Sequence, residues 1–269
     1  QIAAWPGADT VLNGITGSIG LRPTLAALHA GLELGMTLVD TAEMYADGGA
    51  EEVLGEALAG RRDEAFVVSK VMPSHASRSG TIAACERSLK RLGTDRIDLY
   101  LLHWQGGYPL QDTVAAFQQL VEDGKIRYWG VSNFDHRALA DLRDVPGSSG
   151  LATDQVLYNL SRRGPEYDLL PWCTDHQLPV MAYSPIEQGR ILQDATLNDV
   201  AARHGVSAAA AAIAWVLRRD SLCTIPKASS PQHVRDNATA LDVELTREDL
   251  DALDRAFPPP SGPRPLEML

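Results

Sequence analysis

Short apolar runs recur along this chain, each followed by a stretch whose apolar residues return at helical spacing. The runs at residues 11–16, 37–40, 65–70, 96–102, 126–131, 152–156, 179–183 and 223–226 read as strands. Helical stretches between them begin near Arg22, Ala50, Ser79, Leu110, Phe134, Glu166, Leu197 and Pro231. Eight strands alternating with helices predict an α/β fold of the (β/α)8 TIM-barrel kind, a parallel eight-stranded sheet wrapped by helices. Two helical stretches, 197–203 and 208–217, fall between the last two strands, so the pattern carries an extra helix. A final helix at 250–257 precedes a short Pro-rich C-terminal tail, which is expected to be extended. No repeat or linker divides the chain, so one domain is expected over residues 1–269.

Local signals support several boundaries. Ser79 is placed to cap the helix of Ala83, Cys85, Leu89 and Leu92, and Gly93 to end it. Ser207 can cap the Ala-rich run through Trp215. Asp112 and Thr113 fall in the first turn of a helix that Gly124 terminates.

Composition narrows the classes of function. The net charge of −11, with no long Lys/Arg run, argues against a nucleic-acid or anionic-membrane surface. Three scattered cysteines, Cys85, Cys173 and Cys223, support neither a disulfide framework nor a cysteine zinc site. The seven histidines show no HExxH spacing, so no metal is expected. No apolar run approaches a membrane span and no signal-peptide pattern opens the chain, which makes a reducing cytoplasm the expected compartment. The pattern specifies no oligomeric state.

Four polar residues stand at or just past strand ends. Asp40 and Tyr45 follow the second strand, Lys70 closes the third, and His103 closes the fourth. A parallel barrel brings such ends onto one rim. Singly, each has a structural role open to it: Asp40 as a helix cap, Tyr45 as a loop anchor, Lys70 as an ion-pair member, His103 as a strand-end residue. Together on consecutive strands they point to proton transfer. A free phenol titrates near ~10, too high for efficient exchange at neutral pH, and a neighbouring ammonium favours the phenolate. Lys70 is expected to supply that charge and Asp40 to hold Lys70, while His103 orients a substrate oxygen or passes a proton to Tyr45. Nothing in the chain can itself reduce a carbon, so a hydride carrier is implied.

These segments resemble the aldo-keto reductase family. Val39-Asp40-Thr41-Ala42-Glu43-Met44-Tyr45 is similar to its Asp-Thr-Ala-x-x-Tyr segment, and Ser69-Lys70 to its strand-three Ser/Thr-Lys. The segments 97–104, 126–134 and 225–228 resemble three further family signatures, in the right order. The resemblance implies a catalytic tetrad of Asp40, Tyr45, Lys70 and His103, with Tyr45 as the proton donor in NAD(P)H-dependent reduction of an aldehyde or ketone. It also implies that Ser132, Asn133 and Gln155 hold the nicotinamide carboxamide, with the ring stacked on Tyr183. Ser184, Ile186 and Gly189 would meet the diphosphate. Ile225, Lys227, Ser229, His233, Asp236 and Asn237 would surround the adenosine end.

Two features bear on how the resemblance is read. Lys227 and Ser229 favour NADPH, but His233 stands where the family usually has Arg, and a neutral imidazole lacks the fork that grips phosphate, which leaves NADH as the alternative. Glu187 stands where a small residue is more usual, so it should face solvent or pair with Arg190. Residues 14–18 correspond loosely to the family's first-strand turn. The glycine spacing of residues 16–20 imitates a dinucleotide loop, yet no Tyr-x-x-x-Lys and no second-strand acid accompany it. Met44 and Trp104 are expected to wall a pocket for a small-molecule carbonyl, left open by the short tail. A nucleotide-binding regulatory or redox-sensing subunit of the same fold is the alternative, and the intact tetrad favours the enzyme.

Overall fold

The computed structural model describes residues 12–13 and 21–269. Eight parallel strands run in sequence order: β1 (Leu12–Asn13), β2 (Leu38–Asp40), β3 (Phe66–Val71), β4 (Ile97–Leu102), β5 (Ile126–Ser132), β6 (Leu151–Leu157), β7 (Val180–Tyr183) and β8 (Leu222–Ile225). Around them lie α1 (Leu21–Glu33), α2 (Gly49–Ala57), α3 (Arg78–Leu92), α4 (Leu110–Glu122), α5 (His136–Arg143) and α6 (Leu169–Asp175). The ring continues with α7 (Ala195–His204), α8 (Ala208–Leu217), α9 (Pro231–Ala238) and α10 (Arg247–Ala256). The first and last barrel helices, α1 and α9, pack on each other and complete the (β/α)8 architecture. Both helices expected between β7 and β8 are present.

Period-two alternation sorts the strand residues into two cores. Leu38, Phe66, Val68, Leu99, Leu101, Met181 and Ile225 form one buried cluster, the plug inside the barrel. Their neighbours Val39, Val67, Tyr100, Leu102, Val156 and Val180 face outward and join Leu54, Cys85, Phe117, Leu139 and Trp215 in the layer between sheet and helices. Asp40, Lys70 and His103 continue the inward series Leu38, Phe66–Val68 and Leu99–Leu101 by two residues, which places polar groups on top of an apolar plug.

One irregularity matters for the site. Trp129 pairs with Leu151 but Val131 pairs with Asp154, so Gly130 alone on β5 opposes Ala152 and Thr153 on β6. This bulge lets Ala152 and Gln155, three positions apart, both face the barrel interior. Gly130 is required there, because a Cβ would lie 2.6 Å from the Thr153 carbonyl and 2.9 Å from Leu101.

Several element ends differ from the sequence expectation. Ser77, not Ser79, caps α3 by accepting from Gly80 N, since Ser77 has the extended backbone of a cap while Ser79 is already helical. Asp135 caps α5 through Arg137 N and Ala138 N, so that helix starts after Phe134. Glu166 lies in a short 3-10 turn, and α6 starts later, behind Asp168. A capping box between Thr246 and Asp249 starts α10 ahead of Leu250. Of the expected first strand only Leu12–Asn13 is described; the segments 14–18 and 16–20 lie outside the described residues.

Candidate active site

The barrel interior ends in an ion pair. Lys70, fully buried, donates from Nζ to Asp40 Oδ2 at 2.5 Å and to the Thr41 carbonyl at 2.9 Å. Burial alone would lower the ammonium, but Asp40 and Tyr45 outweigh it and hold Lys70 above its ordinary value. Asp40 Oδ1 accepts from Gln155 Nε2 at 2.8 Å, the contact that the β6 bulge makes reachable.

Tyr45 arrives from the loop after β2. The Lys70 ammonium lies 5.1 Å from the centre of its ring. The His103 ring packs edge-on to Tyr45 at 5.7 Å and to Trp104 at 5.0 Å. The four residues expected to converge therefore share one corner of the rim. Their electrostatics differ from expectation in sign: burial, reinforced by Asp40, outweighs the pull of Lys70, so the phenol is raised rather than lowered. Tyr45 is held protonated, as an acid in waiting. Burial and the Lys70 charge push His103 down to about 3, so its imidazole is neutral.

From this corner a cleft of about 740 Å3 runs toward β7 and β8. Met44, Tyr45, His103 and Trp104 line one end, followed by Ser132, Asn133, Gln155, Tyr183, Ser184, Ile186 and Gly189, then Ile225, Lys227 and Ser229. Five of these are knit together. Ser132 Oγ donates to the Gln155 carbonyl, Asn133 Nδ2 to the His103 carbonyl, and Tyr183 hydroxyl to Asn133 Oδ1. Asn133 takes a left-handed backbone (φ 60°) to do so. At the far end Lys227 is exposed and makes no ion pair among the described residues. His233, Asp236 and Asn237 sit on α9 and do not line the cleft; Asp236 accepts from Gln232, and Asn237 is buried.

The model of the Aldo/keto reductase family matches residues 12–257. The chain belongs to the aldo/keto reductase family. It is 53% identical over 253 residues to methylglyoxal reductase YeaE of Escherichia coli (strain K12), covering 92% of this chain and 89% of that protein. It is 34% identical over 247 residues to glyoxal reductase of Bacillus subtilis (strain 168), covering 90% and 87%. A crystal structure of an aldo-keto reductase from Klebsiella pneumoniae in complex with NADPH superposes with a TM-score of 0.95 at 48% identity, covering 97% of this chain and 95% of that one. As an oxidoreductase of this family, the chain keeps its described cleft on the rim where β2–β8 end.

Some of this aldo/keto reductase's cleft was invisible in the sequence. Glu187 neither faces solvent nor relies on Arg190 alone. It is buried and accepts from Arg162 Nη2 at 2.9 Å, Asn159 Nδ2 at 2.8 Å and Arg190 Nη2 at 3.1 Å. Although burial pushes its carboxyl up, Arg162 and Asn159 outweigh it and hold Glu187 below its ordinary value. This anchor steadies a loop in which Ser184, Glu187, Gln188 and Gly189 all have positive φ. The tail does not leave the pocket open: Met268 and Leu269 line the cleft, and Glu267 pairs with Arg162 at 2.6 Å. Sequence spacing carries no signal for where an irregular tail returns.

Proposed function

We propose that this chain is an NADPH-dependent reductase of small aldehydes and ketones, with 2-oxoaldehydes as the favoured substrate class. The observation that carries this reading is the buried Asp40–Lys70 pair beside Tyr45 and His103, at one end of a cleft that reaches Lys227, a cation without an ion pair among the described residues. The cleft's residues fit an extended, anionic coenzyme: an aromatic face and amides at one end, an exposed cation and hydroxyl at the other. When bound there, the reduced nicotinamide would supply the hydride. The NADPH complex of the Klebsiella pneumoniae relative supports that coenzyme, and Lys227 supports it over NADH.

Tyr45 gives its proton to the carbonyl oxygen as that oxygen gains charge. The Lys70 ammonium stabilises the phenolate left behind, and Asp40 fixes Lys70 so that its charge is delivered at Tyr45. His103, being neutral, orients the same oxygen by a hydrogen bond without competing as the acid. Met44, Trp104, Met268 and Leu269 give the cleft apolar lining, which suits a small carbonyl. The methylglyoxal and glyoxal reductase names of two relatives support 2-oxoaldehydes within that class.

The test is NADPH consumption with a panel of small carbonyls, for the wild type and Tyr45→Phe. The wild type should turn over 2-oxoaldehydes, and Tyr45→Phe should lose ~10²–10⁴-fold in kcat while still binding NADPH. Absence of carbonyl-dependent oxidation in the wild type, or full activity in Tyr45→Phe, refutes the reading.

A further inference from the structure

The turn that carries Tyr45 is held against the lysine strand by two carboxylates outside the tetrad. Residues Tyr45–Gly48 form a tight turn in which Ala46 (φ 53°) and Asp47 (φ 52°) both take the left-handed backbone. Side chains with a Cβ adopt that conformation only where the surroundings impose it. On the C-terminal side of the turn stands Glu51, in the first turn of α2 and wholly buried. Its Oε1 accepts from Ser69 Oγ at 2.5 Å and its Oε2 from Arg91 Nε at 2.6 Å. Arg91 reaches it across Gly48, where a Cβ would lie 2.5 Å from the Arg91 Cδ.

On the N-terminal side stands Glu43, also buried. Its Oε1 accepts from Met72 N at 2.8 Å and from His75 Nδ1 at 2.9 Å. On that same N-terminal side the backbone is laced to β3, with Thr41 N bonded to the Val68 carbonyl and Glu43 N to that of Lys70. The anchors on β3 and its exit, Ser69 and Met72, bracket Lys70. The anchored carboxylates, Glu43 and Glu51, bracket Tyr45. A group on each side of the acid is thus tied to a group on each side of the ammonium.

We propose that Glu51, with Ser69 and Arg91, and seconded by Glu43, is a positioning residue that fixes the Tyr45 hydroxyl over the Lys70 ammonium. This rests on the reductase reading above. Neither carboxylate lines the cleft, so both act through Tyr45 and Lys70 rather than on substrate or coenzyme. Proton transfer depends steeply on the geometry of its donor, and a shift of about 1 Å can cost about 10²-fold in rate. Loosening this lock should therefore reduce kcat while the coenzyme end of the cleft, built on β5–β8, keeps its affinity.

The experiment compares the wild type with Glu51→Gln, Ser69→Ala and Ser69→Thr, measuring kcat and KM for a small aldehyde and NADPH affinity by fluorescence titration. Glu51→Gln should lower kcat by roughly 10-fold or more with the NADPH Kd unchanged. Ser69→Ala should move kcat the same way by less, and Ser69→Thr, which keeps the hydroxyl, should restore it. Deuterated NADPH should give a larger isotope effect in the slowed variants, because the chemical step has become limiting. An unchanged kcat in Glu51→Gln, or a loss shared equally by NADPH binding, overturns the proposal. Should Glu51→Gln not fold, the Ser69→Ala and Ser69→Thr pair decides by the same criteria. A wild type with no carbonyl-dependent turnover refutes the reductase reading itself; an active wild type with unaltered variants refutes the lock alone.

Discussion

On the β2–β4 side of the rim, Asp40 and Lys70 are almost wholly out of water, and every polar atom of the pair has a fixed partner. On the β7–β8 side, Lys227, Ser229 and His233 are exposed, and the loop of residues 184–189, with positive φ at Ser184, Glu187, Gln188 and Gly189, is pinned through Glu187 to Asn159 and Arg162. The two sides solve different physical problems. Moving a proton between neighbouring groups requires low dielectric and fixed distances, since both strengthen the field felt by the acid. Gripping a long, highly charged molecule that must also leave requires exposed donors, whose water is easily exchanged. Burial concentrates energy in a few contacts on one side, and exposure spreads it over many on the other.

If that contrast holds, the largest single effect should come from breaking the buried pair. Lys70→Met leaves the Asp40 carboxylate buried with Gln155 as its remaining hydrogen-bond donor. Removing one partner of such a pair costs about 3–5 kcal/mol of stability. Chemical denaturation should show a loss of that order, and steady-state kinetics should show loss of turnover, because no charge remains to stabilise the Tyr45 phenolate. Near wild-type stability in Lys70→Met would mean that the two sides of the rim are energetically alike.

Next in size is the acid sensitivity written into His103. Its folded value, pushed down to about 3 from an ordinary 6.5, means that the unfolded chain takes up this proton first as pH falls. The sign follows: stability from neutral His103 is complete above 6.5 and is lost progressively as pH falls toward 3. At about 1.4 kcal/mol per unit the contribution is on the order of a few kcal/mol. Thermal unfolding followed across that range should show a flatter acid limb in His103→Gln than in the wild type. Parallel limbs would mean that the imidazole is not desolvated.

How much of this was legible beforehand follows the same division. Asp40, Lys70 and His103 could be placed because strand periodicity dictates both the face and the end of each strand, and burial on that side leaves few alternatives. Ser77 displaced Ser79 as a cap because both residue types suit the role and only backbone geometry separates them. Gln155 meets Asp40 through a bulge that no alternation pattern announces; Gly130 is its one trace in the sequence, and a lone glycine says little. Glu187 was legible only in part: it pairs with Arg190 as expected, but its partners Asn159 and Arg162 come from the preceding β–α loop, a contact set by tertiary structure alone. The sign of the Tyr45 shift depended on weighing burial against a single charge, and a sequence supplies the charge but not the burial.

On the open side the effects should be smaller and confined to binding. Lys227→Ala removes an exposed cation with no ion-pair partner among the described residues, so folding stability should hardly change. A charge-assisted contact to a coenzyme phosphate is worth about 1.5–3 kcal/mol. The NADPH Kd should therefore rise by roughly 10- to 100-fold, with kcat at saturating coenzyme unchanged and the preference over NADH reduced. Titration with each coenzyme checks this, and a fall in kcat instead would place Lys227 in the chemistry.

The smallest effect tests the outermost contact. Glu267 ties the tail to Arg162, yet its side chain is 48% exposed and that of Arg162 34%. A pair so open to water is worth about 0.2–1 kcal/mol, because solvent screens the attraction and ordering two long side chains offsets part of it. Arg162 also keeps its bonds to Glu187, so the coenzyme loop stays anchored when the tail contact is lost. Glu267→Gln should thus shift the carbonyl KM by no more than about fivefold through Met268 and Leu269, and leave NADPH affinity alone. A large change in NADPH affinity would show that tail and coenzyme loop move as one body, and the open side of the rim would then be as tightly coupled as the buried one.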